Sequence, residues 1–129
     1  MIALHEPPKD WRRVFAFIDH AHRAGEGYGF NRDPDGLWTE GTAQAAAVAR
    51  LSGLSEKAQP LWSVLLAQQA GNGWLFATPQ ARISTGLAIG PDSVSNDFFY
   101  YHLPHLGATA WAAIAATGVN PFTGSQEAD

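Results

Sequence analysis

Glu40 stands two positions after Trp38 and opens an alanine-rich helical run. A carboxylate in the first turn of a helix faces whatever lies off that helix's amino end. Beside an indole, whose face stacks well on the axial C–H surface of a sugar ring, it can serve as general acid or base, or as a hydroxyl acceptor. It also has a plain structural use, since an acid there offsets the helix dipole by a few tenths to about 1 kcal/mol. Glycoside hydrolysis needs a second carboxylate across the scissile bond. Asp97 is the candidate, because Phe98, Phe99, Tyr100 and Tyr101 follow it and an apolar setting suits a carboxyl to proton transfer. Capping or turn formation is its alternative role. Asp33, Asp35 and Asp92 also lie in loops, and Asp35-Gly36 reads as a turn.

Gln44 sits one helical turn after Glu40, placed to hydrogen-bond a ligand or a neighbouring helix. Trp74, after the Gly71-Asn72-Gly73 turn, together with Tyr101 and His105, completes the binding candidates. Trp11, Trp62 and Trp111 fall on helix faces and read as core. His102 and His105 have a spacing that could share a metal on a helix. Pro104 lies between them and no third ligand is near, so no metal is expected. No cofactor is called for. Gly71-Asn72-Gly73 has neither a Walker nor a Rossmann frame around it, and there is no Gly-x-Ser-x-Gly elbow. With no cysteine, thiolate chemistry and disulfides are excluded, but the compartment is left open.

The elements that must position these groups are helical. Thr42-Ala43-Gln44-Ala45-Ala46-Ala47-Val48 and Thr109-Ala110-Trp111-Ala112-Ala113-Ile114-Ala115 repeat one pattern 67 positions apart. Small residues let helices approach closely, so the two runs are expected side by side, as inner helices of a repeated hairpin. The first helix carries Trp11, Val14, Phe15 and Ile18 on one face, with Asp10 as N-cap and an end near Ala24. The second spans 39–51 with Thr39 as N-cap and Gly53 as stop. The third starts at Ser55 and tolerates Pro60 near its start. The fourth spans 107–117 and ends at Gly118. Trp74 to Thr78 is β-capable, and Pro79 to Pro104 lacks helical period. Long loops of this kind are often functional.

Hydrophobic content of 46% and charged content of 16% fit a compact chain with a real core. A net charge of −4 weighs against nucleic acid and anionic membrane as partners. The apolar run from Gly107 to Val119 is too short to span a bilayer, and no signal peptide is visible.

Leu37-Trp38-Thr39-Glu40-Gly41-Thr42-Ala43-Gln44, Gly71-Asn72-Gly73-Trp74, the Ala108–Ala115 tract and Asn120-Pro121-Phe122 together resemble the C-terminal part of bacterial (α/α) toroid proteins, the six-hairpin glycosidase-like folds. Thr109-Ala110-Trp111 is also similar to terpenoid-cyclase-type repeats. The resemblance implies an all-α fold: helical hairpins of toroid type with long aromatic loops and minor extended structure. Residues 1–129 would form one domain, a partial toroid, with 123–129 as a frayed tail. Two hairpins cannot close a toroid, so the expectation includes either a homo-oligomer or further hairpins of a longer chain. The expected function is carbohydrate-directed and glycoside-hydrolase-like. Glu40 and Asp97 would be catalytic, and Trp38, Gln44, Trp74, Tyr101 and His105 would bind a carbohydrate or other small molecule. The alternative is a non-catalytic packing or binding module. A terpenoid-cyclase activity is disfavoured, because no Asp-rich motif is present.

Overall fold

The computed structural model describes residues 13–33, 35–93 and 98–124. Trp11, Asp10, Asp97 and the tail after Gly124 lie outside the described residues. The elements run α1 (Arg13–Ala21), β1 (Arg23–Ala24), β2 (Gly27–Tyr28), α2 (Thr39–Leu51), α3 (Ser55–Leu66), β3 (Arg82–Ser84), β4 (Phe99–Tyr101) and α4 (Leu106–Thr117).

The architecture is mixed, which corrects the expectation of an all-α toroid. Besides four helices, the described residues form two antiparallel two-stranded sheets, β1–β2 and β3–β4. The second pairs Arg82 with Tyr101, Ile83 with Tyr100 and Ser84 with Phe99. β4 is aromatic throughout and β3 carries the β-branched Ile83, but every tract is too short to announce itself alone. β1 and β2 are joined by the two-residue turn Gly25-Glu26, but β3 and β4 are far apart in sequence, so no tight-turn signal joins them.

The two alanine-rich helices lie side by side and parallel. At one end Glu40 of α2 reaches His105 and Gly107 at the start of α4. At the other, Arg50 Nη1 donates to Ala115 O at 3.0 Å and Ala116 O at 2.6 Å, tying the carboxyl ends together. Ala43, Ala46, Ala47 and Ala49 of α2 and Ala108, Ala112 and Ala115 of α4 are buried in the core they share with Leu61 and Leu65 of α3. Alanine on both faces permits this approach and loses no rotamer entropy. Gly53, at φ 67°, makes the tight turn that folds α3 back on α2.

A repeated device sets the start of both long helices. Trp38 N–H donates to Tyr28 O and His105 N–H to Leu75 O, each at 2.8 Å. One turn later, Thr42 Oγ1 donates to Trp38 O at 2.9 Å and accepts Tyr28 N–H at 3.1 Å. Thr109 Oγ1 likewise donates to His105 O at 2.8 Å and accepts Leu75 N–H at 3.0 Å. Arg23 pairs with Tyr28 as Gln69 pairs with Leu75. The repeated unit is therefore a helix, a short ribbon, a loop and an inner helix. Extended chain satisfies backbone groups that a helix start leaves open. This explains why Trp38, and not Thr39, is the N-cap of α2, and why its side chain makes no capping bond.

Candidate functional site

The candidate site lies where the amino ends of α2 and α4 meet. Glu40 Oε2 is 3.7 Å from His105 Nδ1, with side chains 19% and 30% exposed. Gln44 Nε2 donates to Glu40 Oε1 at 3.4 Å, a long bond set by their one-turn spacing. His105 is the N-cap of α4, and its Nδ1 accepts the Ala108 N–H at 3.1 Å. With Nδ1 accepting, Nε2 is the nitrogen left to donate. Two glycines make room. A Cβ on Gly107 would overlap the Glu40 carboxylate, and one on Gly41 would overlap the Trp38 ring. The Cε3–Cζ3 side of the indole therefore lies against the backbone of α2 at Gly41.

An aromatic wall adjoins these polar groups. Trp38 meets Phe30 edge-on at 4.8 Å between centroids and Tyr100 at 6.0 Å. Tyr100 meets Phe30 at 5.7 Å and the His105 ring in a T-shaped contact at 5.3 Å. Burial pushes the Tyr100 hydroxyl above its ordinary pKa, and the Glu40 carboxylate adds to the rise. The Trp38 N–H opposes this, although its geometry falls short of a hydrogen bond: Trp38 Nε1 is buried without a partner, as is Thr39 Oγ1. Beyond the wall, Phe30, Trp38, Gly41 and Gln44 line one side of a groove of about 290 Å³ between α1 and α2.

The β3–β4 ribbon brings Tyr100 here. Asp35 Oδ2 accepts Ser84 N–H at 2.5 Å, and Gln80 Oε1 accepts Leu37 N–H at 3.1 Å. The two bonds clamp the loop before α2 onto β3 and onto the segment that leads into it. Ile83, fully buried, pairs with Tyr100, so Tyr100 points to the inner face of the ribbon. Thr39 N–H donates to Ala77 O at 2.9 Å, which closes the seam.

Of the residues singled out in the sequence, the structure brings together Glu40, Trp38, Gln44 and His105. Tyr101 is next to Tyr100 in β4 but turns to the other face, 49% exposed, against Phe99. Trp74 is 42% exposed on its turn, where its backbone N–H bonds Asn72 Oδ1 and its carbonyl accepts Ala70 N–H, away from this cluster. Asp97 lies outside the described residues. Asp35 is engaged by Ser84. His102 stacks on Phe76 at 3.9 Å and its Nδ1 bonds Thr78 O at 2.7 Å. Sequence reasoning missed Tyr100, Phe30 and the two glycines. Strand alternation from the buried Ile83 would have found Tyr100 once the pairing was known; nothing in the Gly-rich loop marked Phe30.

A larger cavity of about 680 Å³ lies by the start of α3, bounded by Arg23, Gly53 and Lys57. It is at the opposite end of α2 from Glu40. Its Lys57 and Arg23 are already paired with Asp19, so it offers less free chemistry despite its size.

The chain matches no family model, no curated protein and no solved structure with which it was compared. Among the described residues, no helix is long and apolar enough to cross a membrane.

Proposed function

We propose that the chain binds carbohydrate at the common amino end of α2 and α4. What supports the reading is the juxtaposition of Glu40 with Trp38. A carboxylate acceptor, the Gln44 amide and the His105 Nε2–H stand beside an indole and a phenol ring. A sugar ring offers the matching combination, an apolar C–H face bordered by hydroxyls that both donate and accept. The aromatic rings lie too close to one another to enclose a cation between them, so they act as a wall and not as a cage.

Binding is favoured over hydrolysis. Hydrolysis takes two carboxylates flanking one bond, and Glu40 is the carboxylate that contacts this cluster among the described residues. Titration with a panel of neutral oligosaccharides, followed by tryptophan fluorescence, tests the proposal. Trp38→Ala is expected to weaken binding by about tenfold or more, equivalent to roughly 1.4 kcal/mol. Glu40→Gln is expected to weaken it with the fold intact. Product release that vanishes in Glu40→Gln would move the reading to a hydrolase. No response to any sugar would remove it.

A further inference from the structure

We infer that α4 docks on the α1–α2 groove of a second copy of this chain, in a head-to-tail contact that continues the internal α2–α4 interface. The internal repeat defines the two surfaces. Ala108, Ala112 and Ala115 form the buried face of α4. The opposite face, Leu106, Ala110, Ala113 and Thr117, is exposed, with Leu106 at 69%. Over its twelve residues α4 carries no charged side chain. A helix without a polar face is one covered on both sides.

The register says by what. Thr39, Ala43, Ala46 and Arg50 precede the exposed face of α4 by 67 positions. In α2 the first three of these are buried, and Arg50 grips the end of α4. Gly41, Ala45 and Val48 precede the buried face of α4 by the same interval, and they line the groove of about 290 Å³. Its other wall is apolar, with Val14, Phe15 and Ile18 from α1. One chain thus presents the face that α2 uses on α4, and also the face that α4 uses on α2. The α4 face is exposed; in the groove Gly41, Val48 and Ile18 are half-buried and Val14 is exposed, while Ala45 and Phe15 are buried.

Such a contact joins two different surfaces, so it generates rings or open arrays and not a symmetric pair. It also brings the amino end of the incoming α4 beside Trp38 and Gln44 of its neighbour.

Sedimentation equilibrium on the full chain tests this without reference to any sugar. Wild type is expected to show mass rising with concentration in multiples of 13.9 kDa. Ala113→Glu spoils only the docking face, and Val14→Glu only the groove; both sites are exposed, and circular dichroism checks that the helices persist. Each variant alone is expected to stay a monomer. Their equimolar mixture keeps one intact junction and is expected to give a species of two chains and nothing larger. A monomeric wild type, variants that associate as wild type does, or a mixture that stays monomeric would each overturn the inference.

Discussion

Glu40 Oε2 and His105 Nδ1 face each other at 3.7 Å as two acceptors, because Nδ1 already takes the Ala108 N–H. The imidazole is thus held by its own helix start, with its Nε2–H left as a donor. The Glu40 carboxylate is positioned by packing against Gly107 and by Gln44.

The cap gives the first prediction. His105→Ala removes the acceptor for Ala108 N–H and is expected to cost about 1 kcal/mol, the usual worth of an N-cap. His105→Asn supplies another capping acceptor and is expected to recover most of it. Urea denaturation of the three proteins measures both. Equal stability of the alanine and asparagine variants would contradict the assignment.

Tyr100 reports the distance to Glu40. Its hydroxyl is raised by burial first and by the Glu40 carboxylate second. Glu40→Gln removes the charge and leaves the burial. The Tyr100 pKa is therefore expected to fall in that variant while staying above the ordinary phenol value. Carbon-13 NMR of ring-labelled tyrosine resolves it from Tyr28 and Tyr101. An unchanged titration would separate the two groups.

The glycines are expected to act through their neighbours. Gly41→Ala drives a methyl into the Trp38 ring, and Gly107→Ala drives one into the Glu40 carboxylate. Overpacking of this kind costs about 1–3 kcal/mol. Gly41→Ala should alter the near-ultraviolet dichroism of tryptophan, and both should weaken saccharide binding. Binding that survives both changes would place the ligand elsewhere.

Asp19 sets an acid limit on stability away from the site. Burial pushes its carboxyl up, but hydrogen bonds from Lys57 and Tyr28 and the charge of Arg23 outweigh this and hold it below the ordinary range. The Tyr28 hydroxyl donates to Oδ1 at 2.6 Å and Lys57 Nζ to Oδ2 at 2.5 Å. A depressed folded pKa adds stability above the unfolded value, about 3.9, and that stability is lost as pH falls through the folded value. Asp19→Asn should therefore be less stable than wild type at neutral pH, and the gap should close below about pH 4. Urea midpoints across that range check the sign. A gap that widened in acid would contradict it.

Helix positions were readable because they are written locally. Small residues at helical spacing, Gly53 and Gly118 mark α2 and α4, and the matching of the two alanine runs anticipates their contact. The ribbons were not readable as sheets. Arg82-Ile83-Ser84 says nothing of Phe99-Tyr100-Tyr101 until both are folded, so the chain reads as all-helical when it is mixed. The same gap decides which tyrosine meets Trp38. A shift of one residue along a strand exchanges its faces, and the sequence offers Tyr100 and Tyr101 as equals. Thr39 looks like the cap of α2, yet Ala77 O accepts its N–H and its hydroxyl is buried without a partner, while Thr42 ties Trp38 to the preceding extended segment. Such tertiary bonds leave no local trace.

The most direct measurement is the amide and indole NMR spectrum of the labelled chain during titration with a neutral oligosaccharide that binds. Saturable shifts are expected to concentrate at the Trp38 indole, Gln44, His105 and the first turn of α4, and to vanish together in Trp38→Ala. Shifts centred on Trp74 and Tyr101, or shifts indifferent to the loss of Trp38, would contradict the proposal.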